Sequence, residues 1–130
     1  MRTKLMFRWA AGTAVGITLA GIVLASEVTN PVPSTAKSIE TGRQAFQKYC
    51  KGCHGEDATG NGPLSPKDVH PPNLVDAEWK YGATDGDIFT NIRNGIGPDS
   101  AMKSWKSRMT DAEIWNVVNY LRSLGASPKP

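Results

Sequence analysis

Cysteine and histidine are scarce in this 130-residue sequence, with two of each. Two cysteines close at most one disulfide, so a disulfide-stapled scaffold is excluded. No segment alternates apolar and polar residues over the length of a strand, so the usual sign of a half-buried sheet is missing. A surplus of charge is missing too. The formal charge of +3 comes from Arg2, Lys4 and Arg8, and the 12 basic residues after them match 12 acidic ones. A neutral body gives no electrostatic support for nucleic-acid binding, and no nucleic-acid partner is expected. Apolar residues make up only 39% of the chain. That is thin for a small domain that must build its core from side chains alone, and a large apolar cofactor is one way to complete it.

The basic start MRTKLMFR is followed by an uncharged run of 17 residues, Trp9–Ala25, closing on Val23-Leu24-Ala25 before Ser26-Glu27. This is the pattern of a secretory signal peptide. The run is long for a signal and short for a membrane span, since it reaches roughly 25 Å as a helix against a hydrocarbon core of ~30 Å. Residues 1–25 are therefore expected to be a signal peptide or an N-terminal membrane anchor. In either case the basic residues stay inside and the remainder is delivered outside the cytoplasm, to the periplasm or the outer face of the cytoplasmic membrane. Residues 26–37, with Pro31 and Pro33, read as an extended linker. Residues 38–130 form the domain.

Within it, Ile39, Gly42, Ala45, Phe46 and Tyr49 recur at helical spacing, which predicts a helix over 38–51. Gly42 inside that helix costs about 1 kcal/mol relative to alanine. Close approach of another helix, with Tyr120 as the crossing residue, would offset that cost. Residues 54–74 carry three glycines and four prolines without periodicity, a long loop that has reason to exist if it wraps something. A second helix is expected over 84–94, with Thr84 as N-cap and Gly95 as stop. The last helix has Thr110 and Glu113 as a capping box, and a stripe of Ile114, Val117, Val118, Leu121 and Leu124 before Gly125. The expected class is all-α.

Both cysteines fall in Tyr49-Cys50-Lys51-Gly52-Cys53-His54. Positions i, i+3 and i+4 share one face of a helical turn, so Cys50, Cys53 and His54 can address one object. A structural zinc ion needs about four ligands, and His70 is the one further histidine; two adjacent ligands, Cys53 and His54, also crowd a small ion. A thioredoxin-like pair wants its first cysteine at a helix N-terminus, whereas Cys50 closes a helix. An inert disulfide explains neither the histidine nor the loop. The spacing C-x-x-C-H is that of covalent haem attachment. Two thiols on one turn meet the two vinyl groups on one porphyrin edge, and the next residue, His54, meets the iron. The macrocycle would also supply the apolar surface that the core lacks.

With a Pro71-Pro72-Asn73-Leu74 segment, a Met102-x-x-Trp105 segment and a closing Ile114-Trp115-x-Val-Val-x-Tyr120-Leu121 helix, the chain over about 38–125 resembles the small monohaem cytochromes c of class I. The resemblance implies a few helices and long loops wrapped around one haem c, with the first and last helices crossing. It implies electron transfer and no catalytic residues, with redox proteins as donor and acceptor.

Four accounts of the iron's other face compete: Met102, Met109, His70 or no ligand. Met109 has an alternative role as a hydrophobic staple with Ile114. His70 reads as a surface residue. Met102 stands in a loop with no helix face to explain it, where the resemblance places the axial methionine, although Lys103 follows it where many relatives have proline. An open face would instead suit a small-ligand binder or sensor. The resemblance further implies that a carbonyl of Pro71 or Pro72 accepts the second imidazole proton of His54, that Trp105 packs near the haem, and that Trp79 and Arg93 meet its propionates. Lys48 and Lys51, with Lys103, Lys106 and Arg108, would form a basic rim for acidic redox partners. A cytochrome subunit of a larger dehydrogenase or oxidase complex is the other reading of the same features.

Overall fold

Each long helix begins on a threonine. The computed structural model describes residues 27–68, 70–76 and 78–125, so the expected export segment and the chain after Gly125 lie outside the described residues. Thr35, Thr84 and Thr110 cap α1 (Ala36–Tyr49), α3 (Asp85–Asn94) and α4 (Asp111–Ser123), while α2 (Lys51–His54) is a single turn set off from α1 by Cys50. In each long helix the threonine hydroxyl accepts the backbone N–H three residues on. The side chain there (Ser38, Asp87 or Glu113) accepts the threonine N–H in return, so two end groups are satisfied at once. α1 starts two residues earlier than its apolar spacing predicts. Its box uses Ser38, outside the usual Glu/Gln signature, and the signal is easily missed. No strand occurs among the described residues. None of their helices is long and apolar enough to cross a membrane.

α1 and α4 share the largest interface. Its geometry is set at Gly42, where a β-carbon would overlap the Asn116 carbonyl and stand 3.0 Å from Tyr120 Cβ. The close approach expected of this glycine is present, with the Asn116 backbone as the nearer surface. One turn on, Phe46 is 1% exposed, with its ring centroid 5.4 Å from that of Tyr120. α3 joins α4 through Phe89 stacked on Trp115, 4.1 Å between centroids, and through Arg122 Nε donating to Asp85 Oδ1 at 2.7 Å. Ile88, Ile92, Ile114, Val117, Val118 and Leu121 fill the space between. Full burial of such side chains is worth about 1.5–3 kcal/mol each.

The segment expected to be a linker is extended but packed. Asn30 Nδ2 donates to Asn119 Oδ1 at 2.8 Å and to the Trp115 carbonyl at 3.2 Å. Asn119 Nδ2 donates back to the carbonyls of Val32 and Pro33 and to Ser38 Oγ. Val28 lies on the Cα of Gly86 in α3. Asn119 is only 4% exposed on an otherwise apolar face. Its polar groups are tolerated there because the strap satisfies them.

Candidate functional site

The α1–α4 crossing positions the site through Phe46. Its ring centroid lies 6.5 Å from that of His54, so the helix that packs on α4 also backs the histidine. Cys50 N donates to the Phe46 carbonyl at 2.8 Å as α1 ends, and His54 N returns to the Cys50 carbonyl at 3.0 Å. Cys50, Cys53 and His54 thus sit on one tight turn, as their spacing predicts. The two thiols are not joined to each other.

Burial acts on both enclosed groups. Lack of water around Cys50 pushes its thiol up to about 12, with a smaller contribution from Cys53. The thiol therefore stays protonated at neutral pH and is a poor partner for disulfide exchange. Burial lowers the pKa of His54 and keeps its imidazole neutral, which is the form that binds iron. His54 Nδ1 is buried without a hydrogen-bond partner.

The loop after His54 is bolted to the turn by its backbone. Gly60 N donates to the His54 carbonyl at 2.7 Å, Gly62 N to the Cys53 carbonyl at 3.1 Å and Leu64 N to the Gly52 carbonyl at 2.7 Å, while Ser65 Oγ donates to the Cys53 carbonyl. Gly60 and Gly62 are required by this closeness. A β-carbon on Gly62 would overlap the Gly52 carbonyl, and one on Gly60, at φ +91°, would overlap the carbonyl of Pro71. Pro71 and Pro72 are half-buried. Their segment thus reaches the His54 turn through Gly60, and no hydrogen bond joins either proline carbonyl to His54.

Met102 is half-buried against the core in a loop tied to α3. Ile96 N donates to its carbonyl at 3.0 Å and Trp105 N donates to the Ile92 carbonyl at 3.2 Å. Ser104 Oγ donates to the Arg93 carbonyl at 2.8 Å. The half-buried Trp105 faces Tyr49, with centroids 5.7 Å apart. Met109 is 4% exposed and belongs to the core cluster with Ile114, the role of a staple. His70 is exposed. Arg93, a candidate propionate partner, is engaged by Asp111 at 2.8 Å. Trp79, the other candidate, has its Nε1 buried without an acceptor.

Among the described residues no three His, Cys, Asp or Glu side chains gather as metal ligands do, so the zinc reading has no ligand set. The same residues fit a covalent haem. Two unpaired thiols lie on one turn, a neutral histidine follows, and two buried ring nitrogens lack partners. Tyr49, Leu74, Val75, Trp79, Met102 and Trp105, from four segments, are only partly covered by protein.

Comparison with known proteins agrees. Residues 37–121 match the family described as cytochrome C oxidase, cbb3-type, subunit III. The chain belongs to this family. Over 87 residues the cytochrome domain is 40% identical to the cbb3-type cytochrome c oxidase subunit CcoP of Cereibacter sphaeroides, covering 65% of this chain and 27% of that protein. The chain therefore spans about a quarter of that relative's length. Among solved structures, cytochrome cL of Methylophaga aminisulfidivorans superposes with a TM-score of 0.56 at 30% identity, over 68% of this chain and 53% of the other. A chain of the reducing HAO-like protein complex of Kuenenia stuttgartiensis superposes with a TM-score of 0.65 at 25% identity, over 72% and 46%. The domain is thus a monohaem c-type cytochrome of all-α cytochrome c fold, and its cofactor is haem c. Sequence reasoning missed the Asn30–Asn119 clasp and the Tyr49–Trp105 contact. Both join residues more than fifty positions apart, and no local pattern marks them.

Proposed function

We propose that this domain carries single electrons between redox proteins, with Cys50 and Cys53 as the thioether anchors of its haem and His54 and Met102 as the axial ligands. The observation that carries the reading is the C-x-x-C-H turn itself, with free thiols and a neutral, enclosed imidazole on one face. The iron supplies a one-electron couple, and a thioether ligand favours its reduced form. The protein's part is to hold both axial groups still and keep water out. Phe46 backs His54, the glycine-tight loop closes over the turn, and the α3-tied loop presents Met102. With both axial positions taken, no place is left for a substrate, so the chain is a carrier rather than an enzyme. This also argues against the sensor reading.

The relative's name, a cbb3-type oxidase subunit, supports a place as the electron-delivering cytochrome of such a complex. The oxygen chemistry would then belong to other subunits. The basic, apolar N-terminus supports a location outside the cytoplasmic membrane, by cleaved signal or anchor. Pro71 and Pro72 serve as a brace for the His54 turn through Gly60.

Denaturing electrophoresis with haem staining, followed by a redox titration, tests the reading. The haem should stay with the chain through denaturation and titrate as one reversible one-electron couple. Loss of the haem on denaturation, or its retention by a Cys50→Ala/Cys53→Ala variant, would overturn the attachment.

A further inference from the structure

Tyr49 and Trp105 come from the two segments that carry His54 and Met102, and they meet. Tyr49 directly precedes Cys50, and Trp105 follows Met102 by three residues. Their ring centroids are 5.7 Å apart at an interplanar angle of 55°. Lys48 Nζ lies 4.8 Å from the Tyr49 centroid, and the Arg108 guanidinium 5.7 Å from that of Trp105. The four groups form a ladder with a cation at each end and the aromatic pair between.

The other ties of the Met102 loop run elsewhere. Its hydrogen bonds among the described residues stay within the loop or go to the end of α3: Ile96 to Met102, Met102 to Ser100, Lys103 to Pro98, Ser104 and Lys106 to Arg93, and Trp105 to Ile92. On the side of the attachment turn the aromatic pair makes the connection. Both rings are half-buried, so separating them exposes apolar faces and loses the edge-to-face attraction of the pair, while each cation stays with the ring on its own segment.

We propose that the Tyr49–Trp105 pair is a latch that holds the Met102 loop against the attachment turn, with Tyr49 as a positioning residue for the Met102 thioether. The inference rests on the reading of Met102 as the second ligand. Loss of Tyr49 leaves the loop folded on α3 but removes its tie on the other side. The thioether then leaves the iron more often, and an external ligand finds the position open.

The test is carbon monoxide association with the reduced holoprotein, read beside the methionine–iron charge-transfer band of the oxidised form. Tyr49→Leu should bind carbon monoxide about tenfold faster and weaken the band, since an aromatic pair of this kind is worth roughly one power of ten in an equilibrium. Tyr49→Phe should restore both. Trp105→Leu should act like Tyr49→Leu, and the double variant should add little, because one contact is lost either way. Should Tyr49→Leu fail to fold, Trp105→Leu carries the test from the other side of the contact, with the same increase of about tenfold expected. Wild-type rate and band in folded Tyr49→Leu, or in folded Trp105→Leu, would overturn the latch alone. A wild-type protein without the band would overturn the Met102 reading itself.

Discussion

The carbonyl of Asn116 on α4 occupies the space where a β-carbon on Gly42 of α1 would stand. This contact fixes how near the two helices come, and hence where Phe46 places its ring against His54. Gly42→Ala gains about 1 kcal/mol of helix propensity, but it forces two backbones apart. Overpacking of this kind costs typically 1–3 kcal/mol, and here the obstructing atom is backbone, which yields little. The expected result is a net loss of about 2 kcal/mol in denaturant unfolding of the holoprotein, with a change in the haem absorption bands because Phe46 moves.

Asn119 and Asn30 stitch the chain ahead of α1 to α4. Asn119→Ala leaves the Asn30 amide and the Val32 and Pro33 carbonyls without their buried partner, at a cost of about 2–3 kcal/mol. Asn30→Ala costs about 1 kcal/mol, since Asn30 is itself only half-buried and water can take the place of its amide. The two losses should be less than additive in a double-mutant cycle. Proteolysis near residues 28–33 should speed up in Asn119→Ala. Unchanged protection there would show that the strap is held by something else.

Much of this was readable because its signals are local. Two helices, α3 and α4, announce themselves by threonine caps and glycine stops. The attachment turn is spelled out in six consecutive residues, Tyr49 to His54. Met102 lies in a loop that no helix face explains, and its choice as ligand leans on the resemblance to class I cytochromes c. What could not be read depends on which distant segments meet. The start of α1 hides behind a serine at Ser38, and the strap looks like a linker until Asn119 is seen to need a polar partner. The Tyr49–Trp105 contact joins two aromatics in distant segments, and neither segment's own pattern points to the other. The resemblance offers Arg93 as a propionate partner, and only the structure shows it engaged by Asp111.

Stability should fall in acid through identifiable carboxylates. Glu113 is held below its ordinary pKa by the Thr110 N–H and then by the Thr110 hydroxyl. Glu40 is pushed down to about 2 by Arg43 and then by Gln44. A carboxylate with a lowered folded-state pKa stabilises the fold above its unfolded-state value and loses that contribution as pH falls toward the folded-state value. Both contributions are complete at neutral pH; that of Glu40 fades between about pH 4.5 and pH 2, and that of Glu113 fades as pH falls below about 4.5 toward its lowered folded-state value. Glu113→Gln, followed by thermal unfolding across this range, should show a flatter acid limb. A limb as steep as that of the wild type would remove Glu113 from the explanation.

Lys48, Lys51, Lys103, Lys106 and Arg108 lie exposed on the two segments that Tyr49 and Trp105 bring together. On an otherwise neutral protein they form a local basic field, which salt screens over about 8–10 Å. Reduction of the oxidised domain by the anionic reagent ferrocyanide should slow as ionic strength rises, while reduction by a cationic ruthenium ammine should quicken. Equal insensitivity of both rates to salt would show that the lysines are scattered and do not steer.

The most direct measurement is rapid mixing of the reduced wild-type holoprotein with excess carbon monoxide, beside Met102→Ala. The expected result is little or no fast binding to the wild type and immediate binding to Met102→Ala, because only the variant has an open axial position. Fast binding to both at the same rate would contradict the assignment of Met102, and with it the reading of this domain as a closed, six-coordinate electron carrier.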